Sequence, residues 1–174
     1  SPAAAAEARR TVASESEERA RSVDLREADM LAESWEERSF DLILLLFGEF
    51  CLLTLEERHR LLTNAYHALR PGGTLLLELF EQPVEEAIEE RSWEFAPAGG
   101  FWSSERYVEL SSTVVYEREA ALLHRFFIVT ENQEVREERI WESSLDDERL
   151  QGEAENARLR LSRTVWDHPL FDGG

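Results

Sequence analysis

Phe40-Asp41-Leu42-Ile43-Leu44-Leu45-Leu46-Phe47 is followed by Thr54-Leu55-Glu56-Glu57 and then by Leu69-Arg70-Pro71-Gly72-Gly73-Thr74-Leu75-Leu76-Leu77. The first piece is a near-continuous apolar run, the pattern of a parallel strand buried on both faces. The second is a capping box, with Thr54 able to cap a helix and Glu57 three residues on able to answer it. The helix it starts runs to about Arg70, with an apolar stripe at Leu55, Leu62, Ala65 and Leu69 that Arg58 interrupts. Pro71-Gly72-Gly73 stops it, and residues 74–80 read as a second apolar strand. Strand, helix and strand with short links make a βαβ crossover, which implies a parallel sheet with helices on its faces.

Outward from this unit the chain changes character. Ser1-Pro2 and the Ala-rich stretch to Arg10 read as a helix start, and residues 23–28 as a strand with Val23, Leu25 and Glu27 on one face. On the far side, residues 81–91 are acidic and read as a short helix, and residues 97–100 as a loop. Residues 107–116, 122–130 and 135–141 read as antiparallel strands, with Glu131-Asn132-Gln133 as the turn between the last two. Residues 145–157 read as a helix with Asp146 and Asp147 in its first turn, although Gly152 weakens it. Residues 159–166 read as a final strand. The expected fold is α/β: a partial doubly wound, mainly parallel sheet with a small antiparallel insert. Its expected parts are a core at 1–80, an insert or lid at 81–144, and a closing helix and strand at 145–174.

Composition narrows the function. The 174 residues carry a net charge of −18, and all 19 basic residues are Arg. Such a surface repels phosphate backbones and anionic lipid, so neither nucleic acid nor a membrane is an expected partner. No apolar run nears the roughly 20 residues of a membrane span, and the N-terminus has no signal-peptide pattern, so the expected location is cytoplasmic. The lone Cys51 sits beside Leu52 and reads as a buried, inert thiol. No His, Cys and Asp cluster has metal-ligand spacing, and no nucleophile motif is present.

In an open parallel sheet, ligands bind beyond the carboxyl ends of the strands. That rule selects Ala28-Asp29-Met30, Phe47-Gly48-Glu49-Phe50 and Phe80-Glu81. The acid in Glu27-Ala28-Asp29-Met30, the strand Phe40-Asp41-Leu42-Ile43-Leu44 and the helix end Leu69-Arg70-Pro71-Gly72-Gly73 follow one another as they do in class I S-adenosylmethionine-dependent methyltransferases. The chain resembles that family well over residues 1–80 and more loosely to residue 166. The resemblance implies S-adenosylmethionine as cofactor and a small molecule as methyl acceptor. It implies that Asp29 accepts a hydrogen bond from the adenine amino group, that the Met30 N–H meets a ring nitrogen, and that Phe47 and Gly48 pass the methionine end.

Two family elements are expected to be missing: the first strand with its glycine-rich turn, and the second-strand acid that holds the ribose. No glycine occurs before Gly48. The chain is therefore expected to be an N-terminally incomplete methyltransferase that holds its cofactor weakly. Candidate substrate residues are Glu49, Phe50, Trp102 and His124; no catalytic residue can be chosen from the sequence. Trp93, Phe95, Phe101 and Tyr107 give the insert aromatic character and read mainly as the core of a small sheet. The rival reading is a non-catalytic methyltransferase-like module that binds a partner protein through its insert. Another doubly wound enzyme would need a phosphate loop that the sequence does not show.

Overall fold

The computed structural model describes residues 2–33, 35–80, 90–97 and 99–162. It divides into two units, residues 1–35 and residues 36–174. The first holds helix α1 (Pro2–Ser14) and the short helix α2 (Glu17–Arg21), whose N-cap Ser16 accepts from the Arg19 N–H. Residues 23–28 form no strand. Their charged positions are satisfied locally instead: Arg26 pairs with Asp24 at 2.8 Å, and Arg9 reaches Glu27 at 3.3 Å. A lone extended segment without a hydrogen-bonded neighbour has nothing to offset its ordering cost.

In the second unit, β1 (Phe40–Leu45) pairs parallel with β2 (Leu69–Leu77), and α3 (Leu55–Ala68) makes the crossover between them. The parallel βαβ unit expected from the sequence is therefore present, with shifted edges. The helix stops at Ala68 rather than Arg70, and β1 ends at Leu45 rather than Phe47. Strand β2 begins early because Phe40 is opposite Leu69 while Leu42 is opposite Thr74, so residues 70–73 bulge out against Asp41. Gly73 makes this possible: a Cβ there would stand 3.0 Å from the Arg70 carbonyl and 3.2 Å from that of Asp41. The buried face of α3 is Arg58, Leu61, Leu62, Ala65 and Ala68, so Arg58 belongs to the stripe and Leu55 lies outside it, exposed.

Four antiparallel strands follow in the order β3-β4-β5-β6: β3 (Arg91–Ala96), β4 (Tyr107–Tyr116), β5 (Ala121–Thr130) and β6 (Val135–Ser143). The last three match the sequence expectation within two residues. Strand β3 was not expected; Arg91 belongs to it, and the rest of the anticipated acidic helix falls at residues 81–89, outside the described residues, apart from the irregular Glu90. Alternation gives this sheet two unlike faces. Leu122 and Ile128 on one face of β5 are buried, whereas Trp93, Phe95, Leu110 and Trp141 on the other are exposed. Trp93 and Phe95, with Phe101, are thus not core aromatics; Tyr107 is. Helix α4 (Asp147–Asn156) is capped by Asp146, which lies before its first turn rather than in it, and runs through Gly152. Residues 159–162 are not a strand, and residues 163–166 of the anticipated final strand lie outside the described residues.

Candidate functional site

At the carboxyl end of β1 the backbone turns sharply. Phe47 and Gly48 both take left-handed conformations, with φ of 62° and 68°. For Phe47 this is a strained position, and strain of this kind is retained where the surroundings impose it. Two bonds from the residue that follows β2 do so: the Glu78 carboxylate accepts from the Phe47 N–H at 2.8 Å, and the Glu78 N–H donates to the Leu45 carbonyl at 2.9 Å. The turn leaves the Phe47 ring 80% exposed and Gly48 buried beneath the ring of Phe80. Gly48 then starts a 3-10 turn, Glu49–Leu52, and its carbonyl accepts from the Cys51 N–H at 2.9 Å. Glu49 points its charge to the surface and makes no hydrogen bond or ion pair among the described residues. Phe50 is completely buried.

Over Phe50 lies the cation that interrupts the apolar stripe of α3. Arg58, 2% exposed, lies over the Phe50 ring at 5.8 Å. Its Nε and Nη2 donate to the two oxygens of Glu153 on α4, both at 2.8 Å. Nη1 donates to the Leu53 carbonyl at 2.7 Å and to the Ser143 hydroxyl of β6 at 3.0 Å. One guanidinium thus ties the turn after β1 to the antiparallel sheet and to the last helix. A charged residue within an apolar helical stripe, with an acid on another helix, was the available signal, but the partner is 95 residues away. Cys51 is buried next to it, and burial pushes its thiol pKa up; the charge of Glu142 acts in the same direction.

His124 lies on β5 between Thr113 of β4 and Glu142 of β6. Its Nδ1 is 3.1 Å from the Thr113 hydroxyl and its Nε2 is 3.1 Å from a Glu142 oxygen. A carboxylate only accepts, so in the neutral ring Nε2 carries the proton and Nδ1 accepts from Thr113. Trp102 stacks on Phe126 at 5.0 Å, and its indole N–H donates to Glu109 at 2.6 Å. Phe126 stands two residues from His124 on the same face of β5, so Trp102 and His124 share one side of the sheet. Phe47, Gly48, Glu49 and Phe50 form one continuous turn; Trp102 and His124 sit on the sheet that Arg58 anchors to it. Asp29 and Met30 belong to the first unit. There Asp29 Oδ1 accepts from the Leu31 N–H at 2.9 Å, which leaves Oδ2 without a partner among the described residues. Also among the described residues, no cluster of His, Cys, Asp and Glu could hold a metal ion, and no helix is long and apolar enough to cross a membrane.

Residues 1–73 match the family model of a methyltransferase domain. No curated protein sequence matches the chain. Among solved structures it is similar to the CcbJ methyltransferase from Streptomyces caelestis, with 16% identity, a TM-score of 0.63, and coverage of 89% of this chain and 59% of that one. It is similar to the sugar N-methyltransferase KedS8 from Streptoalloteichus sp ATCC 53650, with 16% identity, a TM-score of 0.55, and coverage of 75% and 51%. It is also similar to the glycopeptide N-methyltransferase MtfA complexed with S-adenosyl-L-methionine, with 19% identity, a TM-score of 0.52, and coverage of 86% and 59%. The chain therefore spans less than two thirds of the length of each. The architecture is that of the class I S-adenosylmethionine-dependent methyltransferases, and residues 1–73 match the methyltransferase-domain model.

Proposed function

We propose that the chain is part of an S-adenosylmethionine-dependent methyltransferase that acts on a small, amine-bearing acceptor. The observation that carries this is the strained Phe47-Gly48 turn, held by Glu78, at the carboxyl end of a parallel strand pair. Glycine takes the left-handed turn without strain, and its missing Cβ leaves the room that the Phe80 ring fills behind the turn. Asp29 Oδ2 suits an adenine amino donor, and the Met30 N–H suits a ring nitrogen. When bound, the cofactor supplies a methyl group on a sulfonium, so the protein's task is alignment and exclusion of water. Glu49, next to Gly48 and free of partners among the described residues, is suited to hold an acceptor amine and take its proton. His124 has both ring nitrogens engaged and serves better to orient Thr113 and Glu142 than to remove a proton. Phe50 supports the turn from below, and Trp102 lines the sheet side. An amine fits a strongly acidic protein, and two of the similar structures are named as N-methyltransferases.

The glycine-rich turn has no counterpart before Gly48, so the 174 residues alone should hold S-adenosylmethionine weakly. Calorimetric titration should give a dissociation constant well above micromolar, and Asp29→Ala should weaken it further by about 1–3 kcal/mol. Micromolar binding would mean that the cofactor sits elsewhere. Binding unaffected by Asp29→Ala would reduce that residue to a loop acid.

A further inference from the structure

At the opposite end of the two parallel strands from Phe47 and Gly48 lies a cavity of about 340 Å³. Four arginines line it: Arg38 before β1, Arg70 in the β2 bulge, and Arg158 and Arg160 after α4. Arg70 is paired with Asp41. Arg38, Arg158 and Arg160 make no side-chain hydrogen bond or ion pair among the described residues, although the protein has 37 acids for 19 arginines. All four arginines are exposed, so the cavity is an open concentration of positive charge on an otherwise strongly acidic protein. Glu37 is the carboxylate on the cavity wall.

The backbone supports the same reading. Among the described residues, five that are not glycine have positive φ: Arg38, Phe47, Ala120, Gln133 and Arg158. Ala120 and Gln133 are in hairpin turns of the antiparallel sheet, and Phe47 is at the candidate cofactor turn. The other two are cavity arginines. Arg38, at φ 50°, is locked by its N–H to the His67 carbonyl at 3.0 Å and by Ser39 N–H to Ala68 at 2.9 Å. Arg158, at φ 63°, closes helix α4: its N–H bonds the Glu155 carbonyl at 2.9 Å, and the Leu159 N–H bonds that of Ala154 at 2.8 Å. This is a Schellman cap with arginine in the place where glycine is the unstrained choice. Local stability favours glycine at this position, and the guanidinium it carries instead adds to the charge of the cavity.

We propose that this cavity binds a small phosphate-bearing molecule, held by Arg38, Arg158 and Arg160 with Arg70 at its edge. Guanidinium groups are weakly hydrated and match phosphate oxygens bidentately, whereas the surrounding acidic surface rejects anions that cannot make those bonds. Tyr66 and His67, edge to face at 5.3 Å, line the same wall and offer ring surface to a base. The site is independent of methyl transfer.

Inorganic pyrophosphate is the probe, titrated calorimetrically against the chain without S-adenosylmethionine. It should bind saturably and far more tightly than acetate, with an affinity that falls as salt is raised. Arg158→Gly should keep or raise the melting temperature, because glycine relieves the cap, yet weaken pyrophosphate by about tenfold or more. Arg160→Gln, at an exposed position, should weaken it likewise. Adenosine diphosphate binding more tightly than pyrophosphate, with both lost in Arg158→Gly, would identify a nucleotide; equal affinities would identify the phosphate alone. Absence of saturable pyrophosphate binding, acetate binding as tightly, or variants that bind like the parent would each overturn the site.

Discussion

Arg58 shows how much one side chain can decide. Its bidentate pair with Glu153 is nearly dry, so removing either partner strands a charge in the interior. Arg58→Ala should lose about 3–5 kcal/mol in denaturant unfolding, and the double change Arg58→Met with Glu153→Leu should recover much of it. If the single variant loses under about 1 kcal/mol, the pair does not anchor the turn. Gly48 is the complementary case. Gly48→Ala adds a methyl 2.3 Å from the Phe80 ring at a φ of 68°, so it should cost about 1–2 kcal/mol and push that ring outward. A wild-type melting temperature for Gly48→Ala would mean that the turn is not held as described.

Among the elements, α3 is the most completely determined by its own residues. The Glu57 carboxylate accepts from the Thr54 N–H at 2.8 Å and from the Thr54 hydroxyl at 2.7 Å, and the Glu57 N–H returns a bond to that hydroxyl. These bonds, the hydroxyl's first, hold the Glu57 pKa below the ordinary carboxylate range. A depressed acid contributes stability that is present above its unfolded pKa and lost as pH falls through the folded one. Thr54→Ala should cost about 1 kcal/mol at neutral pH, and its penalty should shrink as pH falls through the lowered Glu57 pKa and the carboxylate protonates. A penalty that stays constant with pH would show that the box contributes nothing through the charge. The sheets needed more than their own residues. Strands β4, β5 and β6 alternate clearly enough to be read one by one. Strand β3, Arg91-Ser92-Trp93-Glu94-Phe95-Ala96, alternates too, but it follows an acidic stretch and only its pairing with β4 makes it a strand.

For the whole molecule, a net charge of −18 spread over 174 residues means self-repulsion in the folded state. Raising sodium chloride from about 0.01 M to about 0.5 M shortens the screening length several-fold, so the melting temperature should rise by a few degrees. The local ion pairs, mostly exposed, offer little to lose in exchange. A melting temperature that falls with salt would mean that attractive pairs outweigh the net repulsion.

The sequence by itself determined what depends on near neighbours along the chain. The apolar run at Phe40, the capping box at Thr54 and the Pro71-Gly72-Gly73 stop give strand, helix and strand, and the handedness of crossovers then leaves little freedom in how they pair. It also placed Phe47 and Gly48 at a strand end. Residues 23–28 escaped it because a strand exists only with a partner. The left-handed turn at Phe47, the burial of Phe50 under Arg58, the clamp of Thr113 and Glu142 on His124, and the gathering of Arg38, Arg70, Arg158 and Arg160 join residues tens of positions apart. Those depend on which surfaces meet once the elements pack, and no local pattern encodes a contact between Arg58 and Glu153.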